Sequence, residues 1–430
     1  MRRHTLSSRF RLCAAWIACS LSGPIWAQAA TPEPMPEAAV GSAHSVPLTL
    51  DVAWQRALLQ HPDLRAAMAE RDAATALTRQ AGAWPNPELS ALQEDTRADS
   101  RTTTWQWSQP IEGLGKRAAR VNAAQWAQRA AEGEVQARQV QLRARLSLAF
   151  HAAQLAQARV ALAAELVQLA AQSRETARRR VAAGKAAPIE EVKAQVAEAQ
   201  AVSAQRAAHS AWRAAWQALR QAMGGGLAEP LRVDADLQAL PDDAPWRAVL
   251  DRPDEATAVQ RAAMALSRQQ AWVEVERTRA RPDVTVQLGI KRDVQVGRNQ
   301  PLVGISLPLP AWDRNEGAIT AALRQADRAE ADLDSTRASV QAQASEALEQ
   351  LRTAIEQHRT LNATVLPAAS QALDIAGKGY ALGKFGILDV LDAQRTLFDV
   401  RHQVLNSAEQ AFRAQARLIE LFGDAPASRD

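Results

Sequence analysis

Apolar residues recur along most of this chain at helical spacing, and in two places the period drops from 3.6 to 2. Val284, Val286, Leu288 and Ile290 alternate with Thr285, Gln287, Gly289 and Lys291. After a polar turn at Gly297 to Gln300, Val303, Ile305, Leu307 and Leu309 alternate with Gly304, Ser306 and Pro308. This predicts a β-hairpin with one apolar face over about 283–309. An earlier pair over about 88–109 is less regular. Thr103, Trp105 and Trp107 alternate with Thr104, Gln106 and Ser108, but the segment around Glu88 to Asp95 is weakly patterned. Prolines set off both pairs, at Trp84 to Pro87 and at Arg281 to Asp283, because proline lacks a donor and restricts the residue before it.

Everything else reads as helix. A short helix in 48–61 and a second to about Ala83 precede the first strands, and a helix carrying Trp272 and Val275 precedes the later ones. Long proline-poor segments follow each strand pair, from about Lys116 to Ala183 and from about Glu316 to Leu382, with a kink expected near Pro367. Each would reach about 100 Å at 1.5 Å per residue. Their apolar positions are mostly Ala with spaced Leu142, Leu146, Leu155, Leu162, Leu166 and Leu169, a narrow seam for close helix packing. Helices from about Pro188 to Met223 and Ile387 to Phe422 return along them.

The joints of these hairpins are copies of each other. Residues 181–195 and 380–394 align 199 positions apart, matching Gly184 with Gly383, Lys185 with Lys384, Gln195 with Gln394 and Glu190 with Asp389. The chain therefore divides into an export segment at 1–29, a Pro-rich leader at 30–47, a first repeat at 48–226 with its tip about 181–188, a linker at 227–245, a second repeat at 246–424 with its tip about 380–387, and a tail at 425–430.

Composition changes the picture in three ways. Residues 1–29 combine Arg2, Arg3, Arg9 and Arg11 with an apolar stretch and Ala27-Gln28-Ala29, a signal peptide cleaved after Ala29; the alternative is a lipidated Cys19. Removing that segment lowers 51 basic residues to 47, equal to the 47 acidic ones, so a nucleic-acid partner loses its electrostatic support. Cys13 and Cys19 leave with it, and with them any disulfide or thiolate metal site. Beyond residue 30 no 18-residue apolar run exists to form a transmembrane helix.

An exported chain with four amphipathic strands suits the lipid-facing band of an outer-membrane barrel, with Trp105 and Trp107 in its interfacial girdle. Four strands cannot close, a membrane sheet tolerates no edge, and eight strands enclose only side chains, so three chains giving twelve strands form the smallest open barrel. The fold class expected is mainly α with a small β part: duplicated long helical hairpins in a trimeric α-helical periplasmic barrel below a 12-stranded β-barrel.

This plan resembles the TolC-like outer membrane factors of tripartite efflux pumps across the mature chain. The resemblance is carried by Tyr380-x-x-Gly383, by Leu388 to Ala393 (Leu-Asp-Val-Leu-Asp-Ala), and by Ser108 to Arg117, which is similar to the junction in the cobalt-zinc-cadmium or copper-silver branch. It implies a homotrimeric duct in outer-membrane lipid, extending into the periplasm, whose tips at Gly184, Lys185, Gly383 and Lys384 dock a periplasmic adaptor joined to an inner-membrane proton-driven (RND) pump. It also implies a periplasmic gate. Asp389 and Asp392 would form acidic rings, and Tyr380 and Glu190 a closing clasp, with Phe385 standing where drug-exporting relatives place an arginine. Helix turns and a solvated acidic face are the bland readings of the same residues.

No catalytic set, cofactor or metal site is expected. His61, His151, His209 and His358 lie apart, and Gly113 to Arg117 fails the phosphate-loop pattern, because Pro110 replaces its first glycine and Arg117 its Ser/Thr. That stretch reads as a strand-to-helix turn. Rival functions are a drug or type I protein-export duct, and a poreless periplasmic coiled-coil scaffold.

Overall fold

The computed structural model describes residues 48–95, 97–113, 115–225, 233 and 240–424. The signal and leader expected over 1–47, with Cys19, most of the linker over 227–245 and the tail at 425–430 lie outside the described residues.

Helix α1 (Leu50–Gln60) starts where Thr49 Oγ1 accepts the Val52 amide at 3.3 Å. His61 ends it and caps α2 (Pro62–Ala81), its Nδ1 accepting the Asp63 amide at 3.2 Å. Pro62 fits the first turn because an amide there has no helical partner.

Four strands follow the two proline breaks: β1 (Glu88–Glu94), β2 (Thr102–Ile111), β3 (Val284–Asp293) and β4 (Arg298–Ser306). They form one antiparallel sheet in the order β1-β2-β3-β4. Paired residues share a face. Leu89, Trp107, Leu288 and Val303 make one row, Ala91, Trp105, Ile290 and Pro301 the next, and Gln109, Val286 and Ile305 a third. The opposite face carries Glu88, Ser108, Gln287 and Gly304, then Ser90, Gln106, Gly289 and Leu302. One side is thus apolar up to its last row, Gln93, Thr103, Arg292 and Asn299, and the other mostly polar. Trp105 and Trp107 stand in the middle rows rather than at a rim, since the strands continue past them at both ends. The tryptophans at the helical end of the sheet are Trp84 and Trp312, both exposed.

The remaining helices are α3 (Lys116–Ala182), α4 (Pro188–Ala222), α5 (Ala244–Arg247), α6 (Thr257–Arg279), α7 (Glu316–Thr360), α8 (Leu366–Ala381) and α9 (Ile387–Phe422). Helix α3 runs unbroken for 67 residues. Its counterpart in the second repeat does not, because a π turn over Leu361–Val365 separates α7 from α8. Pro367 explains the break: it offers no amide to the carbonyl four residues earlier, and the wider turn before it absorbs the defect.

Helix packing repeats the width of the sheet. Nearest the strands the order is α2, α3, α6, α7; toward the far end it is α4, α3, α9, then α7 and α8. Each tier is four elements wide, with first-repeat elements β1, α2 and α4 along one edge and second-repeat elements β4, α7 and α8 along the other. Two cores hold the middle. Leu142, Leu146, Phe150, Trp216, Leu219 and Met223 pack on α1, and Trp246, Leu348, Leu351, Leu418 and Ile419 repeat the arrangement around α5. Burying each such side chain contributes about 1.5–3 kcal/mol.

Beyond these cores the seam thins to alanine at heptad spacing: Ala156, Ala163, Ala170 and Ala177 on α3, Ala194 and Ala201 on α4, Ala369 and Ala376 on α8. Leu166 and Leu169, expected in the seam, are only half-buried beside it. A 3.5-residue repeat of small side chains lets helices supercoil at close separation, which leucine would prevent.

Candidate functional site

The duplicated Gly-Lys pairs close the two hairpins. At the end of α3, Gly184 has φ +68°; its amide donates to Val181 O at 2.9 Å and the Lys185 amide to Arg180 O at 2.8 Å. At the end of α8, Gly383 has φ +74°; its amide donates to Tyr380 O at 3.0 Å and that of Lys384 to Gly379 O at 2.8 Å. Both are Schellman caps, and a side chain in that left-handed conformation would cost about 1–2 kcal/mol. A Cβ on Gly184 would meet open space. Within the protomer, backbone conformation and not crowding requires glycine there. Lys185 and Lys384 are exposed.

The structure brings Tyr380 and Glu190 together. Tyr380 lies on the last turn of α8, buried with Ala177, Ala194, Ala376, Ile387 and Val390. Its hydroxyl donates to Glu190 Oε2, on the first turn of α4, at 3.0 Å. Burial, then the hydrogen bond to the anionic carboxylate, push the Tyr380 phenol up to about 12. One turn further along α9, Gln394 Nε2 donates to Ser173 Oγ at 2.6 Å, a second polar link between the hairpins.

Asp389 and Asp392 share an exposed face of α9. They are not equivalent. Asp389 Oδ2 accepts the Gly386 amide at 2.9 Å and so caps the helix it begins. Phe385 lays its ring over Gly379, where any Cβ would overlap it. Gly379 and Phe385 therefore form a fitted pair that fills the space beside the α8 turn.

Sequence reasoning missed Arg180. It closes a run of three arginines that reads as a solvated face, yet it lies three residues beyond Ala177 and so continues the buried seam. Its guanidinium stacks on Tyr380, with Cζ 4.4 Å from the ring centroid, and Nη1 donates to the Tyr380 carbonyl. The heptad register of the alanines was the available signal.

The strand-to-helix turn at Gly113 to Arg117 joins the repeats. The Gly113 amide donates to Asp283 Oδ1 at 2.9 Å and Lys116 Nζ bridges the same oxygen at 2.9 Å. A Cβ on Gly113 would strike Pro282 O. The turn's amide and lysine are both engaged with Asp283.

His151 and His358 have structural surroundings, while His209 is exposed. His151 stacks on Phe412 at 3.7 Å, and burial pushes its imidazole pKa down. His358 contacts Ser407 Oγ at 3.0 Å. Among the described residues no three His, Cys, Asp or Glu side chains gather where a metal could bind, and no helix is long and apolar enough to cross a membrane.

Comparison with known proteins adds identity to this geometry. The pattern of the family described as "Outer membrane efflux protein" matches residues 53–225 and again 254–424, one match per repeat. The chain is 39% identical over 378 residues to the cobalt-zinc-cadmium resistance protein CzcC of Cupriavidus metallidurans, covering 88% of this chain and 90% of that one. It is 36% identical over 309 residues to the nickel and cobalt resistance protein CnrC of the same organism, covering 70% and 72%. Among solved structures, the fold matches the outer membrane protein VceC of Vibrio cholerae with a TM-score of 0.72 at 21% identity over 87% of this chain and 96% of that one. It matches CusC, described in terms of transmembrane channel formation, with a TM-score of 0.71 at 18% identity over 86% and 90%.

Proposed function

The chain belongs to the outer membrane efflux protein family, and from that premise we propose that three copies close into one duct through which heavy-metal cations leave the periplasm. The observation that carries the proposal is the four-stranded sheet, apolar over most of one face, mostly polar on the other, and, among the described residues, unpaired along the outer edges of β1 and β4. Lipid leaves no free amide or carbonyl unsatisfied, so β1 of one copy pairs with β4 of the next. That contact is head-to-tail and closes only as a ring. Two copies would give a barrel filled by side chains; three give the smallest one with an open lumen. The apolar rows then face lipid and the Gln106 and Gln287 rows face water.

The helical tiers share this logic. Their free edges, α2 and α4 on one side and α7 and α8 on the other, lie below the free strands and meet in the same order. The tube continues through the periplasm and narrows at the tips, where Tyr380 and Glu190 hold the hairpins together and Asp389 and Asp392 line the entrance. The exposed turns at Gly184, Lys185, Gly383 and Lys384 receive a periplasmic adaptor. The adaptor links the duct to an inner-membrane pump of the RND type, which supplies the energy.

The cargo is inferred from the relatives whose names carry cobalt, zinc, cadmium and nickel resistance. Deleting the gene should sensitise its host to these divalent metals and leave drug tolerance unchanged. A panel that showed drug sensitivity alone would replace the metal reading with that of a drug duct. Protein purified in mild detergent should have the mass of a trimer and pass current in a planar bilayer; a monomer without current would end the duct reading.

A further inference from the structure

We propose that Arg180 is the charged lock of the tip, a guanidinium delivered by α3 that holds the end of α8 against the first hairpin. The inference rests on the gate reading above and assigns the element that keeps the gate shut.

Two contacts converge on one side chain. The Arg180 guanidinium lies over the Tyr380 ring, with Cζ 4.4 Å from the centroid, and its Nη1 donates to the Tyr380 carbonyl; Nη2 lies beside the Gly383 turn, 3.7 Å from where a Cβ there would stand. The accepting carbonyl belongs to the last turn of α8, where helix carbonyls lack helical partners and a cation is favoured. The same carbonyl receives the Gly383 amide, so Arg180 grips the cap of the opposite hairpin as well as its ring. An ordinary surface arginine would behave as its neighbours do. Arg178 and Arg179 both bind Glu175 at 2.8 Å, whereas Arg180 has no carboxylate ion pair among the described residues. Its guanidinium makes its contacts with α8.

Tyr380 is thereby held twice by the first hairpin, through its hydroxyl from Glu190 on α4 and through its ring and carbonyl from Arg180 on α3. Helix α8 cannot swing outward without breaking both. This also accounts for Phe385, whose ring fills the space over Gly379. The positive charge at this joint comes from the opposite hairpin, so the turn itself can be apolar. Lysine would not substitute, because a point charge on a flexible stem cannot cover the ring and hold the carbonyl with one rigid group, as the guanidinium does.

The test is the conductance of the full-length protein in planar bilayers, for the wild type, Arg180→Ala, Arg180→Gln, Tyr380→Phe and Glu190→Gln, each checked first for trimer yield. Arg180→Gln keeps length and a donor without charge, and serves if Arg180→Ala assembles poorly. Both Arg180 variants should raise conductance severalfold, and in a Tyr380→Ala background, where the ring is gone but the carbonyl of residue 380 remains, Arg180→Gln should add less than it does alone, which an independent packing defect would not reproduce. Wild-type conductance in both Arg180 variants, with opening in Tyr380→Phe or Glu190→Gln, overturns the Arg180 assignment and leaves the gate in place. No change in any of the four single variants removes the gate reading and this inference with it.

Discussion

Tyr380 is the chain's only tyrosine, so its ionisation can be followed directly by near-ultraviolet absorbance. The phenol should titrate at about 12 in the folded protein, against 10.0 for an ordinary tyrosine, because burial and the bond to Glu190 favour the neutral form. The raised pKa fixes the sign of the linkage: the stabilisation is fully present below pH 10 and is lost as pH rises through the window from 10 to about 12. Glu190→Gln removes the anionic acceptor and should bring the midpoint down toward the ordinary value; an unshifted midpoint would mean that Tyr380 and Glu190 are not bonded in solution. The partners of this bond were named by the family resemblance, whereas the repeat alone set Glu190 opposite Asp389. Arg180 was not legible, because an arginine run gives the same sequence signal whether its last member faces water or another helix. The fit of Phe385 over Gly379 escaped for the same reason: it is a contact across the turn, with no periodic trace.

At the scale of elements, alternation located β2 and β3 by their own apolar residues and β1 only through its neighbours, while β4 came out shifted: it begins at Arg298, inside the stretch expected as a polar turn, because residues 298–300 pair with 291–293, and it ends at Ser306, so Leu307 and Leu309 lie beyond it. Leu89 and Ala91 are too few to mark a strand alone, yet they complete the rows of Trp107 and Trp105 once the sheet is paired. The break between α7 and α8 was readable from Pro367, though its form, a π turn placed before the proline, depends on how the backbone redistributes a missing hydrogen bond. The two faces of the sheet yield a matched pair of substitutions. Ile290→Arg places a charge in the apolar row of Trp105 and should cost about 2–4 kcal/mol at mid-bilayer depth, lowering the amount of protein recovered from the outer membrane. Gln287→Arg, three residues earlier on the polar face, should leave that yield near wild type. Equal losses from both would show that the sheet does not divide lipid from water.

At the scale of the whole molecule, a protomer four elements wide at every level has incomplete edges, and the ring that completes them also concentrates charge. Asp389 and Asp392 are unremarkable in one chain, exposed on one turn of α9. Three copies around an axis would bring two carboxylates from each into a narrow entrance, where like charges cannot be separated and passing cations are favoured. Alanine at 389 would confuse this test, since it also removes the cap on Gly386, a loss of about 1 kcal/mol. Asparagine keeps an oxygen for that amide and deletes only the charge. The double variant Asp389→Asn/Asp392→Asn should therefore assemble as the wild type does and show reduced preference for cations over anions in single-channel reversal potentials. The difference should be largest at low ionic strength and shrink toward 1 M salt, where the screening length falls to about 3 Å. Unchanged selectivity at low salt would place these aspartates outside the conducting path, and the entrance would then have to be sought elsewhere along the tips.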